Sequence, residues 1–212
     1  MPNIDFIDLL SEVQPKAKTA PVATLVRAIR DAAIEFCERT EVWRYRPAGV
    51  QIDAGVPEVT LTLPEGTVMA KILRASLDGR PLTLTSEELL EQKHPQWRQR
   101  PSKPSACFRV SGTVIAIAPM PIATYSNSLD LTVALKPIRT ATSMDADILD
   151  DYYRGIVEGA LSYVLSEEGE SWSNPVAAAQ HRVMFENKML DAYAKGKQDN
   201  TSKVRVMAYG GL

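Results

Sequence analysis

Residues 129–166 read LDLTVALKPIRTATSMDADILDDYYRGIVEGALSYVLS, and the hydrophobic period changes part-way along them. Leu129, Leu131, Val133 and Leu135 alternate with Asp130, Thr132, Ala134 and Lys136, the pattern of a strand with one buried and one wet face. From about Asp145 the spacing becomes three and four. Ile148, Leu149, Tyr152, Ile156, Ala160, Tyr163 and Val164 then line one side of a helix expected to run to Ser166. Gly155 and Gly159 would each cost that helix up to about 1 kcal/mol, so their four-residue spacing predicts another backbone packed closely against them. A β region thus leads directly into a helical one.

Working outward, the prolines mark the extent of the β region. Ten of the 14 lie between Pro47 and Pro137, where turns and strand ends tolerate them better than helix interiors do. Within this stretch Val59, Leu61 and Leu63 alternate with Thr60 and Thr62. Asp78-Gly79 and Ser111-Gly112 each predict a tight hairpin, the glycine and its neighbour accepting positive φ. Thr85 and Glu88 have capping-box spacing before Leu89-Leu90, predicting a short helix.

Helices are expected on both sides of this block. Pro21 to Arg39 places Val22, Leu25, Val26, Ile29, Ala33 and Phe36 on one face. A third helix opens at Asn174-Pro175, an N-cap with proline at the first helical position, and runs to about Lys195 with Val176, Ala179, Val183, Leu190 and Tyr193 as its apolar positions. Gly196 is expected to end it.

The expected fold is therefore α+β: a bundle of long α-helices with an inserted antiparallel β-sandwich or small barrel and an extended C-terminal tail. The divisions are 1–46 and 138–195 for the helical domain, 47–137 for the inserted β domain and 196–212 for the tail.

Composition narrows the chemistry. The 212 residues include 45% hydrophobic and 24% charged, with a formal net charge of −2, which argues against a strongly basic nucleic-acid binder. Cys37 and Cys107 are too few for a disulfide framework or a zinc site, and each fits a buried small hydrophobe. His94 and His181 are the only histidines, and neither sits in a catalytic pattern. No phosphate loop, dinucleotide fingerprint or nucleophile elbow occurs. The opening MPNIDFIDLL lacks a basic n-region, and no run approaches the length of a membrane span, so neither a secretory signal nor a membrane partner is expected. No enzyme activity, catalytic residue, cofactor or metal is expected either.

Charge is unevenly spread. Asp145 to Glu170 holds eight acidic residues against Arg154 alone. Asp145, Asp147, Asp150 and Asp151 suit the positive end of a helix dipole, and with Glu158 they are also candidates for a surface that repels DNA. The last stretch, SKVRVMAYGGL, mixes Lys203 and Arg205 with Val204, Val206, Met207 and Tyr209. So many apolar residues point to a segment that orders on a partner, as an added strand or in a groove.

Several segments resemble the head-to-tail adaptor (connector) proteins of tailed bacteriophages, the group with the tail tubular or gatekeeper proteins of short-tailed phages. They are LVRAIRDAAIEFCERTEVW from Leu25 to Trp43, Asp78-Gly79-Arg80-Pro81-Leu82, His94-Pro95-x-Trp97-Arg98, VALKP from Val133 to Pro137, Asp150-Asp151-Tyr152 and Trp172-Ser173-Asn174-Pro175. In order they span about residues 4–195. The resemblance implies a structural virion protein, a homo-oligomeric and dodecameric ring below the portal protein and above a tail nozzle or tail-tube protein. Double-stranded DNA would pass through it without sequence-specific binding. It would sit in the virion neck, and in host cytoplasm during assembly. The C-terminal segment would dock on the portal, Lys203 and Arg205 meeting acidic groups while Val204, Val206, Met207 and Tyr209 fill apolar grooves. The acidic candidates would face the channel. Two competing readings are a carbohydrate- or peptide-binding β module using Trp97, Tyr125 or Trp43 as platforms, and a virion-borne cell-wall hydrolase.

Overall fold

The computed structural model describes residues 3–126 and 128–198. Strand β1 (Asn3–Asp5) leads through a 3-10 turn into the short α1 (Leu10–Val13) and then the long α2 (Val22–Thr40). After β2 (Arg44–Tyr45) come β3 (Glu58–Thr60), β4 (Thr67–Leu77), β5 (Arg80–Pro81) and β6 (Thr83–Leu84). Helix α3 (Glu87–Lys93) follows, then β7 (Ala106–Arg109), β8 (Val114–Ala118), β9 (Leu129–Pro137) and β10 (Ser143–Asp145). The described chain ends on α4 (Ala146–Leu165) and α5 (Pro175–Gln198).

Three sheets form. One has the order β2-β9-β4-β5, a second β3-β8-β7-β6, and β1 pairs with β10. Asp78 and Gly79 take φ of 50° and 74° in the β4–β5 hairpin, as the dipeptide predicts. The second hairpin differs. Val110 N–H bonds the Val114 carbonyl at 2.9 Å around a three-residue turn. Gly112 sits close to the neighbouring sheet there: a Cβ would meet the Val68 side chain at 3.1 Å. The chain changes sheets at Leu82, so β6 lies parallel to β7 and the block is not wholly antiparallel. Register shifts in β4 beside Ala70 leave that residue's carbonyl to accept Nη1 of Arg109 at 2.8 Å, tying the two larger sheets together.

The expected bundle of long helices is overturned. Helix takes up 41% and strand 25%, with the strands in several sheets. Among the described residues there are five α-helices, and α1 and α3 are only 4 and 7 residues long. The three longer helices pack on each other, α2 also packs on β9, and one apolar core runs unbroken from Phe36 and Phe185 to Leu131, Leu135, Ile115 and Ile117. A bundle pattern misleads here because α2 serves two neighbours at once, helices on one side and sheet on the other. Leu90, Trp97, Ala106, Phe108, Ala116 and Ala118 form a smaller core under α3.

Local signals set most element ends within a residue or two. Pro21 is the N-cap of α2 rather than its first residue. Ser86, not Thr85, caps α3, its hydroxyl accepting Leu89 N–H at 3.3 Å. Asn174 caps α5 by accepting Ala177 N–H at 3.1 Å. Gly196 does not end α5, which continues to Gln198.

The close approach predicted at α4 is present, but aromatic rings rather than a backbone make it. A Cβ on Gly155 would come within 2.8 Å of the Phe36 ring. One on Gly159 would meet the Phe185 ring at 2.8 Å and Ala32 Cβ at 2.9 Å. Phe36 and Phe185 stand 6.1 Å apart by ring centroids, so the two glycines make room for the aromatic contact that joins the three long helices.

Candidate functional site

The acidic region begins where β10 turns into α4. Asp145 pairs with Asn3 in the sheet, and its carboxylate accepts the N–H groups of Asp147 and Ile148 at 3.1 and 3.4 Å. It is only 6% exposed. As a surface acidic candidate Asp145 is therefore withdrawn, because capping α4 takes its charge inward. Glu158 is half-buried and lies 2.5 Å from Nδ1 of His181 on α5. Asp147, Asp150 and Asp151 are exposed, and no ion pair among the described residues holds them. Arg154 lies over the Tyr153 ring and donates to its hydroxyl oxygen at 3.0 Å, and Lys188 and Lys195 of α5 line a cleft with Asp151. Three carboxylates thus crowd this end of α4, with cations of α5 on the Asp151 side.

A basic counterpart lies on the sheet. Arg44, Arg46, Leu73, Arg74 and Thr132 line a cleft of about 390 Å³. Register explains the convergence: Arg44 pairs with Ala134 across β2–β9, and Arg74 pairs with Thr132 across β4–β9. Arg44 is committed, donating Nη2 to the Gly196 carbonyl of α5 at 2.9 Å. Lys71, opposite Ala134, meets Glu41 at 2.5 Å. Arg46 and Arg74 have no ion pair among the described residues. Such a cleft can accept a carboxylate or phosphate oxygen. Sequence reasoning missed it because about thirty residues separate its members. The Arg44-x-Arg46 alternation was the available signal, since period 2 puts both on one side of the chain.

The densest polar cluster is structural. Glu35 on α2 accepts Arg182 from α5 through two bonds of 2.9 and 2.7 Å, Arg39 at 3.1 Å and the Tyr163 hydroxyl of α4. Burial alone would raise Glu35, but the Arg182, Tyr163 and Arg39 donors outweigh it and hold the carboxyl at about 2. Burial and the same carboxylate push Tyr163 up to about 12. Every member is occupied by another, which leaves none to act on a ligand.

Other candidates are closed or lie elsewhere. Cys37 and Cys107 are buried, and burial pushes both thiols up to about 12. Trp43 and Trp97 are buried, so neither offers an open stacking platform, and Tyr125 is half-buried beside Ile52. His94 lines a cleft of about 470 Å³ with Lys93, Pro95, Trp97 and Arg100. Among the described residues no group of three or more His, Cys, Asp or Glu is placed to hold a metal ion, and no helix is long and apolar enough to cross a membrane. Lys203, Val204, Arg205, Val206, Met207 and Tyr209 lie outside the described residues.

Comparison with known proteins extends over almost the whole chain. The model of a family described as SU10 adaptor protein matches residues 4–207. No curated protein matches the chain.

Proposed function

Because the chain belongs to the SU10 adaptor protein family, and is thereby a structural phage adaptor of the virion neck that contacts portal and tail components, we propose that it assembles as a closed ring between the two and continues the DNA channel. The single observation that carries this is the family match across residues 4–207. The narrower likeness to tail tubular and gatekeeper proteins of short-tailed phages belongs to the proposal, as do a dodecameric ring, a non-enzymatic role and passage through host cytoplasm during assembly.

In this reading Lys203, Val204, Arg205, Val206, Met207 and Tyr209 dock on the portal, and the exposed Asp147, Asp150 and Asp151 face the channel. A ring repeats a three-carboxylate patch once per subunit around one opening. Repulsion from so many fixed charges keeps passing DNA from adhering to the wall. Two supports are independent of the family: the carboxylates are unpaired, and the tail composition suits docking.

Negative-stain imaging of the protein alone and on portal-bearing heads tests the ring. Closed rings stacked on the portal are expected, and single copies scattered on the heads would overturn it. Removal of residues 197–212 should abolish attachment to heads, and unchanged attachment would defeat the docking role.

A further inference from the structure

Helix α5 has an apolar face that the described residues of its own subunit leave uncovered. Ala178, Phe185, Met189 and Ala192 are buried toward α2 and α4. The apolar positions on the opposite side point outward: Val176 is 73% exposed, Val183 59% and Leu190 65%. Of the five apolar positions that the sequence marks on this helix, these three and Tyr193 stand among the exposed large hydrophobics, and Ala179 is exposed too. We infer that this outer face of α5 is where a second copy of the chain docks. The identity of that occupant rests on the ring reading above.

Three observations favour another copy. The first is period. Val176, Val183 and Leu190 recur every seven residues, and an ideal helix drifts only about 20° per heptad, so they form one straight seam. A seam of this kind receives a compact structured surface, whereas an extended segment would match a period of two.

The second is extent. With Tyr193 three residues beyond Leu190, these side chains expose on the order of 400 Å², within the range of a monomer's largest apolar patch. That is also roughly the apolar share of the ~800 Å² each partner gives to a stable interface. The seam runs along a helix of 24 residues, about 36 Å at 1.5 Å per residue. A ring needs such a lateral contact between neighbours. Ile7 and Val22 are exposed on different helices and Val56 and Ile122 in loops, none of them part of a heptad seam.

The third is charge. Glu186, the charged position between Val183 and Leu190 on this side, pairs with Arg182, which Glu35 also holds. Covering the seam would leave that charge paired.

The test uses the full chain on portal-bearing heads. A photo-crosslinking residue at position 183 should yield adducts of two chain masses, whereas adducts only to portal or tail protein, or none, would overturn the inference. The pair Val183→Asp and Leu190→Asp should lower ring occupancy at least about tenfold, the equivalent of ~1.4 kcal/mol per contact. Ile122→Asp should leave it unchanged. Unaltered thermal melting of the paired variant separates lost docking from lost folding. If the wild type forms rings and the paired variant forms them equally, the α5 inference fails and the ring stands. If the wild type forms no rings on heads, the ring reading itself fails and takes this inference with it.

Discussion

The inner and outer faces of α5 differ less in composition than in what they touch. Phe185 and Met189 sit within the main core, while Val183 and Leu190, two positions from Phe185 and one from Met189, meet no packed layer among the described residues. Hydrophobicity along this helix therefore reports two demands at once. One is to join α5 to α2 and α4; the other is met, on our proposal, outside the subunit.

The contrast can be broken most directly from the inside. Phe185→Ala removes a fully buried ring that bridges α2 and α4 and should cost about 3–5 kcal/mol. Urea unfolding of the isolated protein measures it. A loss below about 1 kcal/mol would mean that α5 is only loosely seated and that its two faces are equivalent.

Glu35→Gln strikes the polar edge of the same inner face. Glu35 is held at about 2 against an ordinary 4.5, and its side chain is only 21% exposed, so the difference corresponds to up to about 3 kcal/mol near neutrality. Because the folded value is the lower one, this stability is present above about pH 4.5. It is lost as pH falls from there toward 2. Unfolding free energies measured across that window should fall steeply for the wild type and more gently for the variant. Equal slopes would remove Glu35 as the link between α5 and its neighbours.

Gly159→Ala sharpens the packing argument with a smaller effect. The added methyl meets the Phe185 ring and Ala32 Cβ below 3.0 Å, an overpacking worth about 1–3 kcal/mol. The improved helix propensity returns about 1 kcal/mol. A net loss near 1 kcal/mol is expected in thermal unfolding. A gain would show that the α2–α4 contact yields more readily than its distances indicate.

Much of this was legible in the chain, and the exceptions share a cause. Periodicity located α2, α4 and α5, and turn chemistry located the Asp78-Gly79 hairpin, because those signals act over a few neighbouring residues. Asp145 at the positive end of a helix and Gly155 and Gly159 as close contacts were readable for the same reason. The layer arrangement was not, since α2 is shared between helices and sheet and its pattern does not say which neighbour each side meets. The Arg44, Arg46 and Arg74 cleft depends on strand register, a long-range property. On α5, an apolar position reports that something covers it without saying whether that cover belongs to the same subunit. The apolar positions marked on it therefore fell on the outward side, although the helix itself was correctly placed.

The smallest effect is the most discriminating one. Val183→Gln and Leu190→Gln replace exposed apolar side chains with a residue that forms helix as well as leucine does and better than valine. In the isolated subunit each should change stability by no more than about 0.5 kcal/mol, because little apolar surface leaves water on folding there. The same substitutions should weaken assembly on portal-bearing heads. A cost above about 1 kcal/mol in the unassembled protein, read by urea unfolding at low concentration, would reverse the interpretation. It would mean that the outer face is covered within a single subunit, and the difference between the two faces of α5 would then be one of position in the chain rather than of purpose.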